Sequence, residues 1–176
     1  AVTTVTATDA DGPSLTYSIA GGADAARFTI DASTGALGFV TAPNFEAATD
    51  SSADNVYDVV VQASDGALTA TQSLAVGVSN VNEAPTALAP GSAAVNIQAL
   101  GGTSVATLVA TDPDTGDAIS FSLVDDGGGR FAVDAASGQL SVASGARLDD
   151  QGGTPFVLVV RVTDAAGLTY EQPFTV

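Results

Sequence analysis

Apolar residues recur at every second position in short runs along this chain. "LTYSI" (15–19), "FTI" (28–30), "VYDVVVQA" (56–63) and "LAVGV" (74–78) are the clearest, with partners further along. Clusters of Gly, Asp, Asn and Ser separate them. A period of two in Val, Ile, Thr, Phe and Tyr predicts short half-buried β-strands. No stretch sustains the 3.6-residue period of a helix.

The pattern occurs twice. "RFTIDASTGAL" (27–37) aligns with "RFAVDAASGQL" (130–140), an offset of 130 − 27 = 103. "TATDADG" (6–12) matches "VATDPDTG" (109–116) at the same offset, which pairs Asp9 with Asp112. "VVVQASDGALT" (59–69) matches "LVVRVTDAAGLT" (158–169), where Asp65 and Asp164 stand 164 − 65 = 99 apart. The slip of four falls in one loop, longer in the first copy ("EAATDSSADN", 46–55). Order is kept and length changes sit in loops, as expected of two copies of one domain.

Seven short strands in about 100 residues predict a β-sandwich. The chain is therefore expected to be all-β: two tandem seven-stranded Greek-key sandwiches, 1–82 and 83–176. "DASTG" and "DAASG" read as hairpin turns, with Gly35 and Gly138 at positive φ. Phe28, Tyr17, Leu37, Phe121, Phe131 and Leu140 are the expected core. Copy two has a segment, roughly 86–100, ahead of "VATLVATD". Copy one opens already in the equivalent of that strand, so its first strand is expected to be missing. Either a longer parent chain or a neighbouring molecule would supply it.

Charge narrows the function. There are 20 acidic residues against 4 basic ones, a formal charge of −16. Such a field repels nucleic acid and anionic membranes and attracts cations. With no Cys there is no disulfide framework and no thiolate metal site. With no His, the usual general base and most zinc and iron sites are gone. No apolar run is long enough to span a membrane. Met is absent even at position 1, which reads as an excised or processed segment.

The acids recur in order. Asp9 and Asp11, like Asp112 and Asp114, end equivalent strands; Asp65 and Asp164 end another pair. Asn44 and Glu46 lie in a loop, and "SNVNEAP" (79–85) joins the copies with Asn80, Asn82 and Glu83. A single D-x-D also serves as a turn cap. Two such pairs, two strand-end acids and an N-x-N-E joint in one repeat order ask for a cation. Hard oxygen donors without His or Cys suit Ca²⁺, which takes about 6–8 oxygens in flexible geometry; Mg²⁺ demands a stricter octahedron. Neither an EF-hand loop nor a Gly-Asp nonapeptide is present.

These residues resemble the cadherin repeat in its bacterial cadherin-like form. "ATDADG" and "ATDPDTGD" are similar to its A-x-D-x-D-x-G motif. "FTIDASTGAL" and "FAVDAASGQL" are similar to its F-x-I-D-x-x-T-G-x-L hairpin. "PNFE" and "LDDQ" stand in place of L-D-x-E, and "QASDG" and "RVTDAAG" in place of A-x-D-x-G. "NVNEAP" resembles the D-x-N-D-x-x-P linker, one residue shorter. The resemblance covers essentially the whole chain. It implies calcium at domain junctions, held here by Glu46 and Asn44 from copy one, Asn80, Asn82 and Glu83 from the linker, and Asp112, Asp114, Asp164 and Asp117 from copy two. Asn82 would offer its backbone carbonyl or its amide oxygen. Asp9, Asp11 and Asp65 would be half of a further junction. Asn80 stands where the family has Asp. Asn96 and Gln151 stand where it has Glu, so a site downstream of copy two is expected to be weak or absent unless Asp149 and Asp150 compensate.

The leading expectation is a calcium-stiffened module of a secreted bacterial adhesin or matrix protein. Its partners would be other repeats of the same parent protein, or a second copy in homophilic contact, at the cell surface. A calcium-dependent polysaccharide-binding module is the alternative, with Tyr17, Tyr57 and Tyr170 as its available stacking faces. A hydrolase built on Asp149 and Asp150 is disfavoured, since adjacent acids on a loop more often share a turn than a reaction.

Overall fold

The structure is a computed structural model that describes residues 2–12, 14–96, 98–148 and 154–176. The chain forms two compact units, Ala1–Val81 and Asn82–Val176.

Unit 1 is all-β apart from one turn of 3₁₀ helix at Ala25–Arg27. Its strands are β1 (Thr3–Thr4), β2 (Thr16–Gly21), β3 (Phe28–Ile30), β4 (Ala36–Phe39), β5 (Val56–Ser64) and β6 (Thr69–Gly77). They form two antiparallel sheets, ordered β1-β4-β3 and β2-β5-β6. Period-two burial along β5 sends Tyr57, Val59 and Val61 inward, against Phe28 and Leu37 of the other sheet. Phe28 stacks on Phe39 at 4.7 Å between centroids, and Tyr57 meets Phe39 edge-on at 5.1 Å. The last strand runs from Thr69, five residues before the apolar run that marks it in the sequence. Its first half is Thr, Ala and Gln facing solvent, which carries no hydrophobic signal.

Unit 2 repeats the plan with one strand more. It contains β7 (Ala87–Ala89), β8 (Ser104–Thr107), β9 (Val109–Thr111), β10 (Ser120–Asp125), β11 (Phe131–Val133), β12 (Gln139–Val142), β13 (Val157–Thr163) and β14 (Thr169–Thr175). The sheets are β11-β12-β8 and β10-β13-β14, and β7 pairs with β9. β8 and β9 are one strand interrupted at Leu108, so the unit holds seven strands in effect. The segment after β7 crosses to the other sheet, where Ser92 makes a parallel bridge to Thr175. In unit 1, the residues equivalent to β9 (6–8) form no strand among the described residues. Leu140, Leu158, Val160, Val162 and Phe174 are fully buried in the core of unit 2.

The hairpin turns have the expected glycines, at φ 69° for Gly35 and 67° for Gly138. Each turn closes on its leading acid. Asp31 Oδ1 accepts from the Ser33 and Thr34 N–H groups and the Thr34 hydroxyl; Asp134 Oδ1 accepts from Ala136, Ser137 and the Ser137 hydroxyl. The Thr34 N–H holds the Asp31 carboxyl below its ordinary value, and the Ser137 hydroxyl does the same for Asp134. Glycine is required twice over. Leu108 N–H donates to the Gly138 carbonyl at 2.9 Å, and a Cβ on Gly138 would stand 2.5 Å from the Leu108 carbonyl oxygen. A Cβ on Gly35 would collide with the Val5 carbonyl. Gly138→Ala is expected to destabilise unit 2 by upward of about 2 kcal/mol, read by thermal melting, because left-handed strain and a backbone clash add.

Of the expected core, Phe28, Leu37, Phe121, Phe131 and Leu140 are buried. Tyr17 is only half-buried, its hydroxyl accepting the Ala7 N–H at 3.2 Å. Tyr57 takes the central place instead, 1% exposed. Asn96 lies in irregular backbone after β7 rather than in a strand.

Candidate metal centre

At one end of unit 2, three segments converge: the loop after β9, the turn after β13 and the chain leading into β7. The first supplies Asp112, Asp114 and Asp117, the second Asp164, the third Asn82 and Glu83. One carboxylate oxygen each from Asp112, Asp117 and Asp164 lies within 4.8 Å of the other two. Asp164 is 5% exposed, and Asp112 and Asp117 are half-buried. Three carboxylates this close repel one another more strongly than in bulk water, since the effective dielectric near protein is nearer 20 than 80.

Neutral groups hold each acid in place. Asp112 Oδ1 accepts the Asp114 N–H at 2.9 Å, and Asp117 Oδ1 the Ala118 N–H at 2.8 Å. Asp164 Oδ1 accepts the Leu168 N–H at 2.7 Å, and Oδ2 accepts Asn82 Nδ2 at 2.7 Å. Burial alone would raise the Asp164 carboxyl, but the Asn82 amide and the backbone N–H groups of the turn outweigh it and hold the group below its ordinary value. It therefore stays ionised beside two other acids. Asp112 Oδ2 and Asp117 Oδ2 are buried and have no hydrogen-bond partner among the described residues. A buried carboxylate oxygen left without a donor is costly, and a cation is the group that resolves it. Two of the four arginines are engaged elsewhere: Arg161 pairs with Glu171 at 2.6 Å, and Arg130 donates to the Gly127 carbonyl.

The joint between the copies is bound into the same end of the unit. Glu83 N–H donates to Asp114 Oδ2 at 2.8 Å, and Asn82 Nδ2 also reaches the Glu83 carbonyl at 3.1 Å. A carboxylate oxygen of Glu83 lies within 4.8 Å of one of Asp114. Asn82 thus turns its amide nitrogen, not its amide oxygen, to Asp164, since a donor is favoured beside an ionised carboxylate; its backbone carbonyl is the other oxygen it would offer a cation. Asn80 is exposed.

All-oxygen donors, acidic and partly orphaned, fit a calcium ion. Asp112, Asp117 and Asp164 would hold it, with Asp114 and Glu83 beside them. Residues 92–176 match the family model described as Cadherin, Cadherin domain. This segment is similar to a cadherin domain. Cadherin domains are extracellular adhesion modules that bind Ca²⁺ at repeat junctions.

Solved cadherin structures share the fold over nearly the whole chain. Drosophila N-cadherin EC1-4 superposes with a TM-score of 0.72 at 24% identity, covering 96% of this chain and 43% of that one. Human protocadherin-24 EC1-2 gives 0.72 at 20% identity, covering 98% and 85%. Mouse cadherin-23 EC22-24 gives 0.66 at 23% identity, covering 98% and 57%. The chain thus spans less than two thirds of two of these three. A comparison with curated protein sequences finds no match.

Unit 1 carries the equivalent positions with a different outcome. Asp11 N–H donates to Asp9 Oδ1 at 2.8 Å, repeating the Asp112–Asp114 turn of unit 2. Asp65 Oδ1 accepts the Leu68 and Ala67 N–H groups, the first of which does most to lower its carboxyl below the ordinary value. Among the described residues, Asp9, Asp11 and Asp65 are not gathered into a three-carboxylate group. One reason is in the sequence: the counterpart of Asp117 is position 117 − 103 = 14, a serine. Asn44 and Glu46 lie at the opposite end of unit 1, in the loop between β4 and β5. Asn44 Oδ1 accepts the Glu46 N–H at 2.8 Å.

Two buried acids in unit 1, Asp24 and Asp50, belong to no motif in the sequence. Asp24 accepts the Ser51 N–H at 2.7 Å and the Asp58 N–H at 2.8 Å. Asp50 accepts from Ser52, Asp54 and Asn55. The four-residue slip between the copies was the available signal. Asp149, Asp150 and Gln151 lie outside the described residues. The burial of Tyr57 removes one of the three stacking faces on which the polysaccharide reading depended. Among the described residues, no helix is long and apolar enough to cross a membrane.

Proposed function

We propose that this chain is a calcium-binding adhesion or matrix module of a secreted bacterial cell-surface protein, in which the ion stiffens the joint between the two repeats. The orphaned Oδ2 atoms of Asp112 and Asp117, beside ionised Asp164, carry this reading. Asp112, Asp114, Asp117 and Asp164 serve as ligands from the second repeat. Asn80, Asn82 and Glu83 serve from the joint, and Asn44 and Glu46 from the first repeat. Asp9, Asp11 and Asp65 are the matching half-site of a further junction. When bound, calcium supplies the positive charge that turns mutual repulsion among these acids into a shared attraction.

The chain's own residues prepare the site. Backbone N–H groups fix one oxygen of each of Asp112, Asp117 and Asp164, so little side-chain freedom is left to lose on binding. Asn82 ties the joint to Asp164 through a neutral donor, which orders the linker without spending positive charge. In adhesion, the partners are further repeats of the parent protein or a second copy.

Calorimetric titration of the two-repeat chain tests the reading. Calcium is expected to bind stoichiometrically, with magnesium at least tenfold weaker because a multi-loop site does not meet its octahedral demand. Absence of calcium binding at millimolar concentration would refute the proposal.

A further inference from the structure

The loop that makes the copies slip out of register is laced by side-chain hydrogen bonds from Thr49 to Asn55. It lies in the loop between Phe39 and Val56, which contains no strand or helix. So long an irregular loop would leave Glu46 mobile unless something held it. Asp24, buried at the base, takes the Ser51 N–H on one oxygen and the Asp58 N–H on the other, joining the loop to β5. Asp50, buried within the loop, takes the Asn55 N–H at 3.1 Å and the Asp54 N–H at 3.0 Å. Asn55 then reaches back: its Nδ2 donates to the Phe45 carbonyl at 2.9 Å, one residue from Glu46. The Asn55 carbonyl accepts the Val78 N–H at 2.9 Å, which anchors the brace to the strand side of the unit.

We propose that Asn55, seated on Asp50 in a loop that Asp24 ties to β5, is a positioning residue that holds Glu46 ready for calcium. The inference rests on the calcium reading above. Asn55 stands at φ 62°, a left-handed conformation that Gly and Asn adopt most readily. Only asparagine offers both that backbone and an amide donor of the right length. Asp24 and Asp50 are tie points rather than ligands, because backbone N–H groups already occupy both oxygens of each. The sequence of the second repeat lacks two of these parts. The counterpart of Asp24 is position 24 + 103 = 127, a glycine, and the four added residues are absent.

Asn55→Gly isolates the brace, since glycine keeps the left-handed backbone and deletes the amide. Titrated with calcium alone, the two-repeat Asn55→Gly chain is expected to bind about tenfold more weakly than wild type at unchanged stoichiometry. Its melting temperature in chelator is expected to match wild type. Asn55→Asp, which keeps the backbone preference but cannot donate, is expected to weaken binding at least as much. Wild-type affinity in both variants, whether or not melting in chelator falls, overturns the brace while leaving the calcium reading intact. A wild-type chain that binds no calcium overturns both.

Discussion

Asp112→Asn is expected to weaken calcium binding and, in chelator, to strengthen the protein. Asparagine is nearly isosteric, and its Oδ1 can still accept the Asp114 N–H that shapes the turn. The backbone geometry therefore survives. One of three negative charges whose oxygens lie within 4.8 Å is gone, so the calcium-free cluster is relieved of repulsion. The same loss removes a charged ligand. Outer-sphere partners of metal sites cost about 10–100-fold in affinity when removed, and a direct ligand is expected to cost at least the upper part of that range. Opposite signs in the two conditions distinguish a metal ligand from a structural acid. A structural Asp112 would destabilise with and without calcium alike. Melting curves in calcium and in chelator, with a titration of each protein, read both effects.

The architecture was legible because it rests on signals that survive without context. Period-two burial is visible in "VYDVVVQ", and the turn glycines stand out because each sits in the same D-x-x-x-G frame in both copies. The Asp112–Asp164 end of unit 2 was legible for a related reason: the same acids recur after the same strands. Asp24 and Asp50 were not, because an aspartate that collects backbone N–H groups reads identically to one awaiting a cation. Only the placement of Ser51, Asp54, Asn55 and Asp58 separates the two roles. Which end of the Asn82 amide faces Asp164 was hidden for a similar reason, since an amide offers an oxygen and a nitrogen at nearly one position. Tyr57 gave no warning of its burial. Its hydroxyl meets Thr49, and a tyrosine with an internal partner is as deep as a phenylalanine.

Withdrawal of calcium is expected to produce the largest change of all, because it acts on every ligand together. At a hundredfold excess over the dissociation constant, an ion that binds only the folded state stabilises it by about 2.7 kcal/mol. For a repeat of this size that corresponds to a melting shift of roughly 10–20 °C, with the transition of the second repeat moving most. Magnesium at equal concentration should restore only part of it.

Stiffening of the joint is the central claim, and small-angle scattering of the two-repeat chain with calcium and then with chelator tests it most directly. With calcium, the account predicts a single, narrow distribution of distances between the repeats. In chelator, the profile should broaden to that of two units on a flexible hinge, and should recover when calcium is returned. Identical scattering in both conditions, from a chain shown by titration to be loaded in the first, would contradict it.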